Sequence, residues 1–365
     1  MVKILVVGCG SIGKRHIRNF KSHGCEVEGV EVNETARLAA EKELNVKIHS
    51  DLKTALDSSK FDGALIGVPA KFHVECALEC AKKGTHLLME KPLFLDFIER
   101  HTNETEEQHK ARAEREKKNL TELFSTIKEK HLVAMIGYMG RHSDQLKFVK
   151  KLLDDKVIGN AATIYSENSH NAARMHPWQN VGSWFVGHKE MGGDTMLEDS
   201  HGLNTIMYLF GDVEEVTCFT GKLTQETVTS FDNMDMIVKF KDGRQGTVHT
   251  DLYCVYGNRN DHSPVLVRGT KGVIIWDRGG DNTVKLKKAF EGNISEEIIQ
   301  ASPDNRDSWF TTEEKEFLDC IKNNRQAKPE FDLKSGYETM AVIMAASLSN
   351  KEKRTVKISE VFRPY

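Results

Sequence analysis

The first third of the chain alternates short apolar runs with segments of helical periodicity. The apolar runs occupy residues 3–7, 27–31, 46–48, 61–69, 85–90 and 132–138. Strands buried on both faces are nearly continuous hydrophobic runs, because helices cover each side of a parallel sheet. The helix-compatible segments lie between them, at residues 35–44, 52–56 and 73–83. This order predicts a doubly wound parallel sheet with right-handed crossovers.

The pattern changes after residue 145. A helical segment at 145–153 is followed by strand-like runs at 161–169, 215–224, 234–240, 246–253, 265–269, 273–276 and 284–288. Residues 241–244 and 269–272 lie between such runs and have the composition of hairpin turns. Two late helices are predicted near 312–323 and 335–350. We therefore expect an α+β region with a large, mostly antiparallel open sheet.

The first apolar run ends in a G-x-G-x-x-G motif. Gly8 permits the tight turn, Gly10 lets the backbone approach a pyrophosphate, and Gly13 allows the following helix to pack closely on the strand. Unpaired N–H groups at the helix start would face the phosphates. Ser11 and Ile12 open this helix, so they join the predicted dinucleotide site.

An acidic residue ends the second predicted strand. Glu31 lies 23 residues after Gly8, where a carboxylate accepts hydrogen bonds from the adenosine ribose hydroxyls. That carboxylate would repel a 2′-phosphate, and the neighbouring Val32 and Asn33 offer no positive charge. The motif therefore favours NAD over NADP. The alternative is that Glu31 only begins a solvated turn.

Length, charge and cysteine content limit the number of domains, the partners and the cellular location that we expect. The chain has 365 residues, 29% of them charged, and a net charge of −3; its length favours two domains, expected at residues 1–137 and 138–365. This charge gives no case for nucleic acid or membrane partners. Seven cysteines without framework spacing indicate reduced thiols and a cytoplasmic location. Cys76 and Cys80 share a helix, but no second ligand pair accompanies them, so we expect no metal site.

Two further stretches carry candidate chemistry. Glu90-Lys91-Pro92 follows a predicted parallel strand, at the sheet edge where open α/β folds bind ligands. A lysine on this restricted turn is well placed to face a nicotinamide.

The second stretch, residues 191–204, places Glu198, His201 and Asn204 on one helical face. These groups suit proton transfer to or from a polyol. Thr195 and Glu198 also fit a capping box, so a capping role for Glu198 stays open.

These motifs, in this order, resemble the Gfo/Idh/MocA (glucose–fructose oxidoreductase, inositol dehydrogenase) family over nearly the whole chain. The resemblance rests on residues 8–13, 68–73, 90–92, 137–141, 192–201 and 269–276. It is strongest to the branch associated with surface-sugar biosynthesis, through G-S-I-G-x-R-H near the start and H-P-W before the glycines. The resemblance implies an N-terminal Rossmann domain and a substrate-binding C-terminal domain that also forms a homodimer or homotetramer.

The same resemblance implies hydride transfer between nicotinamide C4 and a carbinol or keto carbon of a sugar, cyclitol or nucleotide-sugar. Lys91 would hydrogen-bond the reacting oxygen, His201 would handle the proton, and Glu198 would orient His201. It also implies a cis peptide before Pro92. Further cofactor contacts are expected from Val68, Pro69, His73 and Glu90, and substrate contacts from Tyr138, Arg141, His170, Trp178 and Asn204.

The chain also departs from the family pattern. Glu198 and Asn204 stand where the family usually has Asp, and Asn180-Val181-Gly182 replaces the D-Y-R of the branch. Two alternatives therefore stay open. One is a nucleotide-binding sensor or assembly protein with altered chemistry. The other is a C=C or C=N reductase in which Lys91 or Tyr138 donates the proton.

Overall fold

Two sheets organise the molecule. The structure is a computed structural model that describes residues 1–95, 98, 104–169, 200–223, 231–251, 264–277, 283–290, 293–300 and 306–365. Within these residues, the first third of the chain forms a six-stranded sheet and most of the remainder contributes to a nine-stranded sheet.

The first sheet is fully parallel and has helices between its strands. Its strands are β1 (Lys3–Val7), β2 (Glu26–Val30), β3 (Ile48–His49), β4 (Gly63–Ile66), β5 (His86–Glu90) and β6 (Ala134–Gly137). Its helices are α1 (Ser11–Ser22), α2 (Glu34–Leu44), α3 (Leu52–Ser58), α4 (His73–Lys82) and α5 (Glu106–Glu129). The strand order β3-β2-β1-β4-β5-β6 reverses between β1 and β4, which opens a crevice at the carboxyl ends of the strands.

The second sheet is mixed and open. Its strands are β7 (Ala161–Ser169), β8 (Val213–Gly221), β9 (Asn233–Phe240), β10 (Gln245–Asp251), β11 (Pro264–Gly269), β12 (Gly272–Asp277), β13 (Thr283–Phe290), β14 (Asn293–Gln300) and β15 (Val356–Lys357). The order is β14-β13-β12-β11-β7-β10-β9-β8-β15. Only the β7–β10 pair is parallel among these described strands.

Four more helices connect and cover the sheets: α6 (Asp144–Asp154), α7 (Ser200–Phe210), α8 (Arg306–Lys322) and α9 (Leu333–Glu352). Helix α9 is buried along most of its length and packs on β8, α7 and β6. Its N-cap residue is Asp332, whose carboxylate accepts the Ser335 N–H at 2.8 Å. Because α9 packs on β6 and on β8, it connects the first sheet to the second.

Helix α8 comes late in the sequence but packs against the first sheet. Phe317 and Leu318 share a hydrophobic cluster with Ile4, Ile17 and Phe20. A Cβ on Gly63 of β4 would lie 3.0 Å from Phe317, so this glycine allows the helix to lie close to the strand. One helix of the predicted second domain therefore packs on the sheet of the first, and the domain boundary at residue 137 stays a prediction.

The predicted fold class is confirmed: a Rossmann-type parallel sheet precedes an α+β region with a large, mostly antiparallel sheet. The turn at 241–244 is a hairpin in which Gly243 has a φ of +90° and Phe240 N–H donates to Arg244 O at 2.8 Å. The sequence did not predict β14 or β15. Among the described helices, none has the length and apolar composition needed to cross a bilayer.

Candidate active site at the carboxyl edge of the parallel sheet

The glycine loop after β1 has the geometry that its motif requires. Gly8 has a φ of +94°, and a Cβ there would lie 2.7 Å from the carbonyl oxygen of Gly67. A Cβ on Gly13 would lie 1.8 Å from the Gly8 carbonyl oxygen, so helix α1 can pack here only without a side chain. A Cβ on Gly10 would meet nothing within 4 Å. The loop is therefore tight on its protein side and open on the other.

The start of α1 fits an anionic ligand. Its cap residue, Gly10, has no side chain to satisfy the first amides, and the first turn holds no acidic residue. These amides and the helix dipole favour negative charge. The loop and the helix start together fit the pyrophosphate of a dinucleotide, with Ser11 and Ile12 in the first turn.

Glu31 lies directly after β2 and faces the glycine loop. Its carboxylate accepts the N–H of Cys9 at 3.2 Å and that of Asn33 at 3.0 Å. These bonds fix the carboxylate beside the loop and leave it further acceptor positions, since an ionised carboxylate has about four. This placement fits the predicted contact with the adenosine ribose.

His73 joins the two loops that border the crevice. Its Nδ1 lies 2.7 Å from the Pro92 carbonyl oxygen and its Nε2 lies 2.7 Å from the Val68 carbonyl oxygen. Burial lowers the pKa of His73, although both carbonyls oppose this effect. Both ring nitrogens are directed to the protein backbone, so His73 supports the loop that carries Val68 and Pro69.

Glu90 and Lys91 lie at the carboxyl end of β5. The Lys91–Pro92 peptide is cis, as the family resemblance implies. Glu90 accepts the backbone N–H of Lys91 at 3.2 Å with one oxygen, and its other oxygen lies 3.0 Å from Nε2 of His16. The carboxylate of Glu90 is thus directed into the protein, while Lys91 is half-buried.

Tyr138 connects this edge to helix α7. Strands β5 and β6 are neighbours, and their last paired residues are Glu90 and Gly137. Lys91 directly follows Glu90, and Tyr138 directly follows Gly137. Adjacent strands are about 4.8 Å apart. The Tyr138 ring contacts the His201 imidazole edge-on, with centroids 5.8 Å apart. The structure therefore places the Tyr138 ring against His201, while Lys91 follows the strand next to that of Tyr138.

Arg141 and Asn204 form a buried pair beside this region. Arg141 Nε donates to Asn204 Oδ1 at 2.5 Å, and Asn204 Nδ2 donates to Thr339 Oγ1 at 2.9 Å. Arg141 also donates to Ser335 Oγ at 3.2 Å and lies over the Tyr208 ring. Burial lowers the pKa of Arg141 to about 10. These contacts place both predicted substrate residues within a network that includes α9.

Three predicted site residues lie outside the described residues: Glu198, His170 and Trp178. The capping box expected from Thr195 and Glu198 also lies outside the described residues. Among the described residues, no group of three His, Cys, Asp or Glu side chains is arranged to hold a metal ion. Cys80 is buried and Cys76 packs against the same core, which agrees with the packing role expected for this pair.

Sequence reasoning missed a buried group directly behind Lys91. It comprises His16 of α1 and Glu313 and Glu314 of α8, all at most 1% exposed. His16 lies on the buried face of α1 together with Gly13, Ile17 and Phe20. A histidine on the apolar face of a predicted helix was the one sequence feature that could have indicated a buried polar partner. Its partners lie almost 300 residues away in sequence, so no local pattern could identify them.

Comparisons with known proteins agree with this geometry. A family model described as "Oxidoreductase family, NAD-binding Rossmann fold" matches residues 2–124, and one described as "Oxidoreductase family, C-terminal alpha/beta domain" matches residues 150–358. A myo-inositol 2-dehydrogenase of Thermotoga maritima is 24% identical over 99% of each chain. A 2,7-anhydro-N-acetylneuraminate hydratase of Mediterraneibacter gnavus is 24% identical over 98% of this chain and 96% of its own.

Solved structures show the same fold. Levoglucosan dehydrogenase in complex with NADH and levoglucosan superposes with a TM-score of 0.81 at 16% identity, covering 98% of this chain and 99% of its own. The WlbA dehydrogenase from Bordetella pertussis, in complex with NADH and UDP-GlcNAcA, gives 0.77 at 19% identity and covers 98% of both chains. The chain therefore belongs to the Gfo/Idh/MocA oxidoreductase family and is an enzyme that uses NAD as its cofactor.

Proposed function

We propose that the enzyme transfers hydride between nicotinamide and a carbinol or keto carbon of a sugar, cyclitol or nucleotide-sugar, with Lys91 and His201 handling the proton. The observation that carries this proposal is the contact of Tyr138 with His201, because Tyr138 lies beside Lys91 at the end of the neighbouring strand. These two observations support a site shared by Lys91, which follows the first sheet, and His201 of α7.

NAD supplies the hydride acceptor when an alcohol is oxidised. The chain supplies the rest: Lys91 donates a hydrogen bond to the reacting oxygen and stabilises negative charge there, while His201 accepts the hydroxyl proton. The alcohol loses a hydride and a proton, and a carbonyl group remains. In the reductive direction, His201 returns the proton to the oxygen. Glu198 orients His201.

The cofactor is held by the crevice at the strand reversal. The open side of Gly10 and the uncapped start of α1 receive the pyrophosphate, with Ser11 and Ile12 beside it. Glu31 binds the adenosine ribose, and the loop of Val68 and Pro69, supported by His73, borders the nicotinamide. Glu90 supports this cofactor site indirectly, because its carboxylate accepts the backbone N–H of Lys91.

The named relatives support polyhydroxylated substrates. They include one inositol dehydrogenase, one hydratase of an anhydro-neuraminate, and dehydrogenases seen with levoglucosan or UDP-GlcNAcA. The proposed substrate residues are Tyr138, Arg141, His170, Trp178 and Asn204.

The alternative C=C or C=N reductase would use Lys91 or Tyr138 as proton donor. Burial raises the pKa of Tyr138 to about 12, so its hydroxyl is a poor acid near neutral pH. In this alternative, Lys91 is therefore the better candidate for the proton donor. A sensor that binds NAD without turnover is the second alternative.

We also propose a homodimer or homotetramer that pairs through the open face of the second sheet. Phe219 and Ile237 lie on one face of β8 and β9 and are 61% and 59% exposed. Light scattering on the purified protein measures the assembly state, and a monomer at micromolar concentration would contradict this arrangement.

A substrate screen tests the proposed reaction. NAD⁺ reduction is followed against myo-inositol, levoglucosan, hexoses, uronic acids, N-acetylneuraminates and UDP-sugars. Products are also identified by mass spectrometry, because addition or removal of water produces no net NADH. Oxidation of at least one compound is expected. Binding of NADH with no conversion of any compound would favour the sensor.

Variants then test the two proton-handling residues. Lys91→Ala and His201→Asn should each reduce turnover by about 10²- to 10⁴-fold while NADH binding stays within a few fold. Lys83→Ala removes a surface lysine that pairs with Asp57 and serves as the matched control. Unchanged turnover in Lys91→Ala would contradict the proposed role.

A further inference from the structure

A buried ion cluster lies behind the proposed catalytic lysine. His16 of α1 has no exposed side-chain surface and packs between the rings of Phe20 and Phe310, at centroid distances of 6.2 and 5.6 Å. Its Nδ1 lies 2.6 Å from Glu314 Oε1, and its Nε2 lies 3.0 Å from Glu90 Oε1. Each ring nitrogen therefore faces a different carboxylate.

A protonated ring satisfies both of these contacts. A neutral imidazole has one N–H and can donate to only one carboxylate, whereas an imidazolium donates to both. Burial by itself would lower the pKa of His16, but the hydrogen bonds to Glu314 and Glu90 outweigh that effect and raise the pKa to about 9. His16 is thus a cation that bridges two carboxylates at neutral pH.

The two carboxylates belong to distant parts of the chain. Glu90 ends β5 and accepts the backbone N–H of Lys91. Glu314 is buried on α8, where Asn19 Nδ2 also donates to it at 3.0 Å and His23 Nε2 lies 3.2 Å away. Helix α8 is therefore connected through His16 to the residue that precedes Lys91.

A further acid adjoins the cluster. Glu313 is 1% exposed, and neither of its carboxylate oxygens has a hydrogen-bond partner among the residues that the structure describes. Burial raises the pKa of Glu313 well above its usual range, and the charge of Glu90 adds to this effect. This environment favours the protonated form of Glu313. The groups that face His16 are the carboxylates of Glu90 and Glu314 and the carboxyl group of Glu313, with His23 on the far side of Glu314.

We propose that His16 and Glu314 are positioning residues which hold the Glu90 carboxylate against the Lys91 backbone and so fix the direction in which Lys91 leaves β5. Without the imidazolium, two buried carboxylates would lose their shared counter-charge, and Glu90 would turn toward water. The significance of this contact for catalysis rests on the proposed role of Lys91. The contact itself does not depend on it.

Hydrogen–deuterium exchange on the full-length, cofactor-free protein tests the contact directly. In His16→Gln, the peptide spanning residues 88–95 should exchange about tenfold faster or more at pH 7.5, the order expected from loss of one charge-assisted hydrogen bond. Glu314→Gln keeps an acceptor for Asn19 and should accelerate exchange less, by about threefold, and it provides the test if His16→Gln does not fold. Asp307→Asn is the matched control, because it breaks an exposed ion pair with Arg15 between the same two helices.

The pH dependence separates positioning from general destabilisation. In the unaltered enzyme, protection of this peptide, corrected for intrinsic exchange, should fall as the pH rises past about 9, where His16 loses its proton. In His16→Gln, protection should be low at every pH.

Equal exchange of residues 88–95 in His16→Gln, Asp307→Asn and the unaltered enzyme would overturn the proposal, as would unchanged protection across pH 9. These measurements need no substrate. If exchange responds as expected but Lys91→Ala retains full turnover, the contact stands and the proposed function of Lys91 fails.

Discussion

The imidazole of His201 and the ring of Tyr138 meet edge-on, with their centroids 5.8 Å apart. Tyr138 follows the last strand of the parallel sheet, whereas His201 is the second residue of α7. The contact therefore joins the two regions that share the proposed site. Aromatic pairs prefer this arrangement, which adds about 0.5–1.5 kcal/mol to the burial of the rings.

Tyr138→Phe tests whether the ring or the hydroxyl matters. The buried hydroxyl forms no hydrogen bond of good geometry with the described residues, so its removal should change the free energy of unfolding by no more than about 1 kcal/mol in either direction. Tyr138→Ala should lower this free energy by about 3–5 kcal/mol and reduce turnover, because His201 loses its support. A thermal unfolding series with activity assays checks both variants. Loss of turnover in Tyr138→Phe would instead assign a proton-transfer role to the hydroxyl.

Glu31 should determine the choice of cofactor. In Glu31→Ala, the preference for NAD over NADP should fall at least about tenfold, because one charge-assisted hydrogen bond to the ribose and the repulsion of a 2′-phosphate are both lost. Glu31→Gln keeps a hydrogen-bonding group and removes the charge, so it isolates the repulsion. Dissociation constants for NADH and NADPH provide the measurement. An unchanged ratio in both variants would mean that the ribose is recognised elsewhere.

Asn204 should stabilise the folded enzyme through its hydrogen bond with Arg141. Asn204→Ala removes the acceptor for Arg141 Nε and should lower the free energy of unfolding by about 1.5–3 kcal/mol, the range for a hydrogen bond to a charged group. Asn204→Asp gives the buried guanidinium a carboxylate partner and should be at least as stable as Asn204→Ala. Denaturant unfolding at pH 7 compares the three proteins. An aspartate variant less stable than the alanine variant would contradict this account of the pair.

Glu313 should make the enzyme less stable as the pH rises. Its pKa is raised in the folded state, so the unfolded chain loses this proton first, and folding loses up to about 1.4 kcal/mol per pH unit above the unfolded pKa of about 4.3. Glu313→Gln cannot ionise, and its stability relative to the unaltered enzyme should increase between pH 5 and pH 8. Glu352→Gln, at an exposed ion pair with Arg354, is the control. A stability difference that stays constant over this range would contradict a raised pKa of Glu313 in the folded enzyme.

The features that depend on short stretches of sequence, namely the parallel strands and the glycine loop, could be predicted. Unbroken apolar runs located the buried parallel strands, and the spacing of Gly8, Gly10 and Gly13 located the dinucleotide loop. Strand β14 escaped prediction because both of its faces are largely exposed, including Ile294 at 77% and Ile298 at 61%. A strand of this kind lacks the alternation of buried and exposed positions from which strands are recognised.

The site was predictable only in part for a related reason. Lys91 and His201 follow family motifs, so their roles could be inferred before their surroundings. The network of His16, Glu90 and Glu314 depends on where α8 packs, and packing between residues 298 positions apart leaves no local pattern. The same holds for the contact of Arg141 with Asn204, which are 63 positions apart.

The most direct test of the central claim is a crystal structure of the enzyme with NADH bound. We expect Lys91 Nζ and His201 Nε2 to converge on one point beside nicotinamide C4, each within hydrogen-bond reach of a substrate oxygen placed there, about 3 Å. If either group lies more than about twice that distance from such a point, or is turned away from the nicotinamide, the assignment of Lys91 and His201 as the proton-handling pair is contradicted.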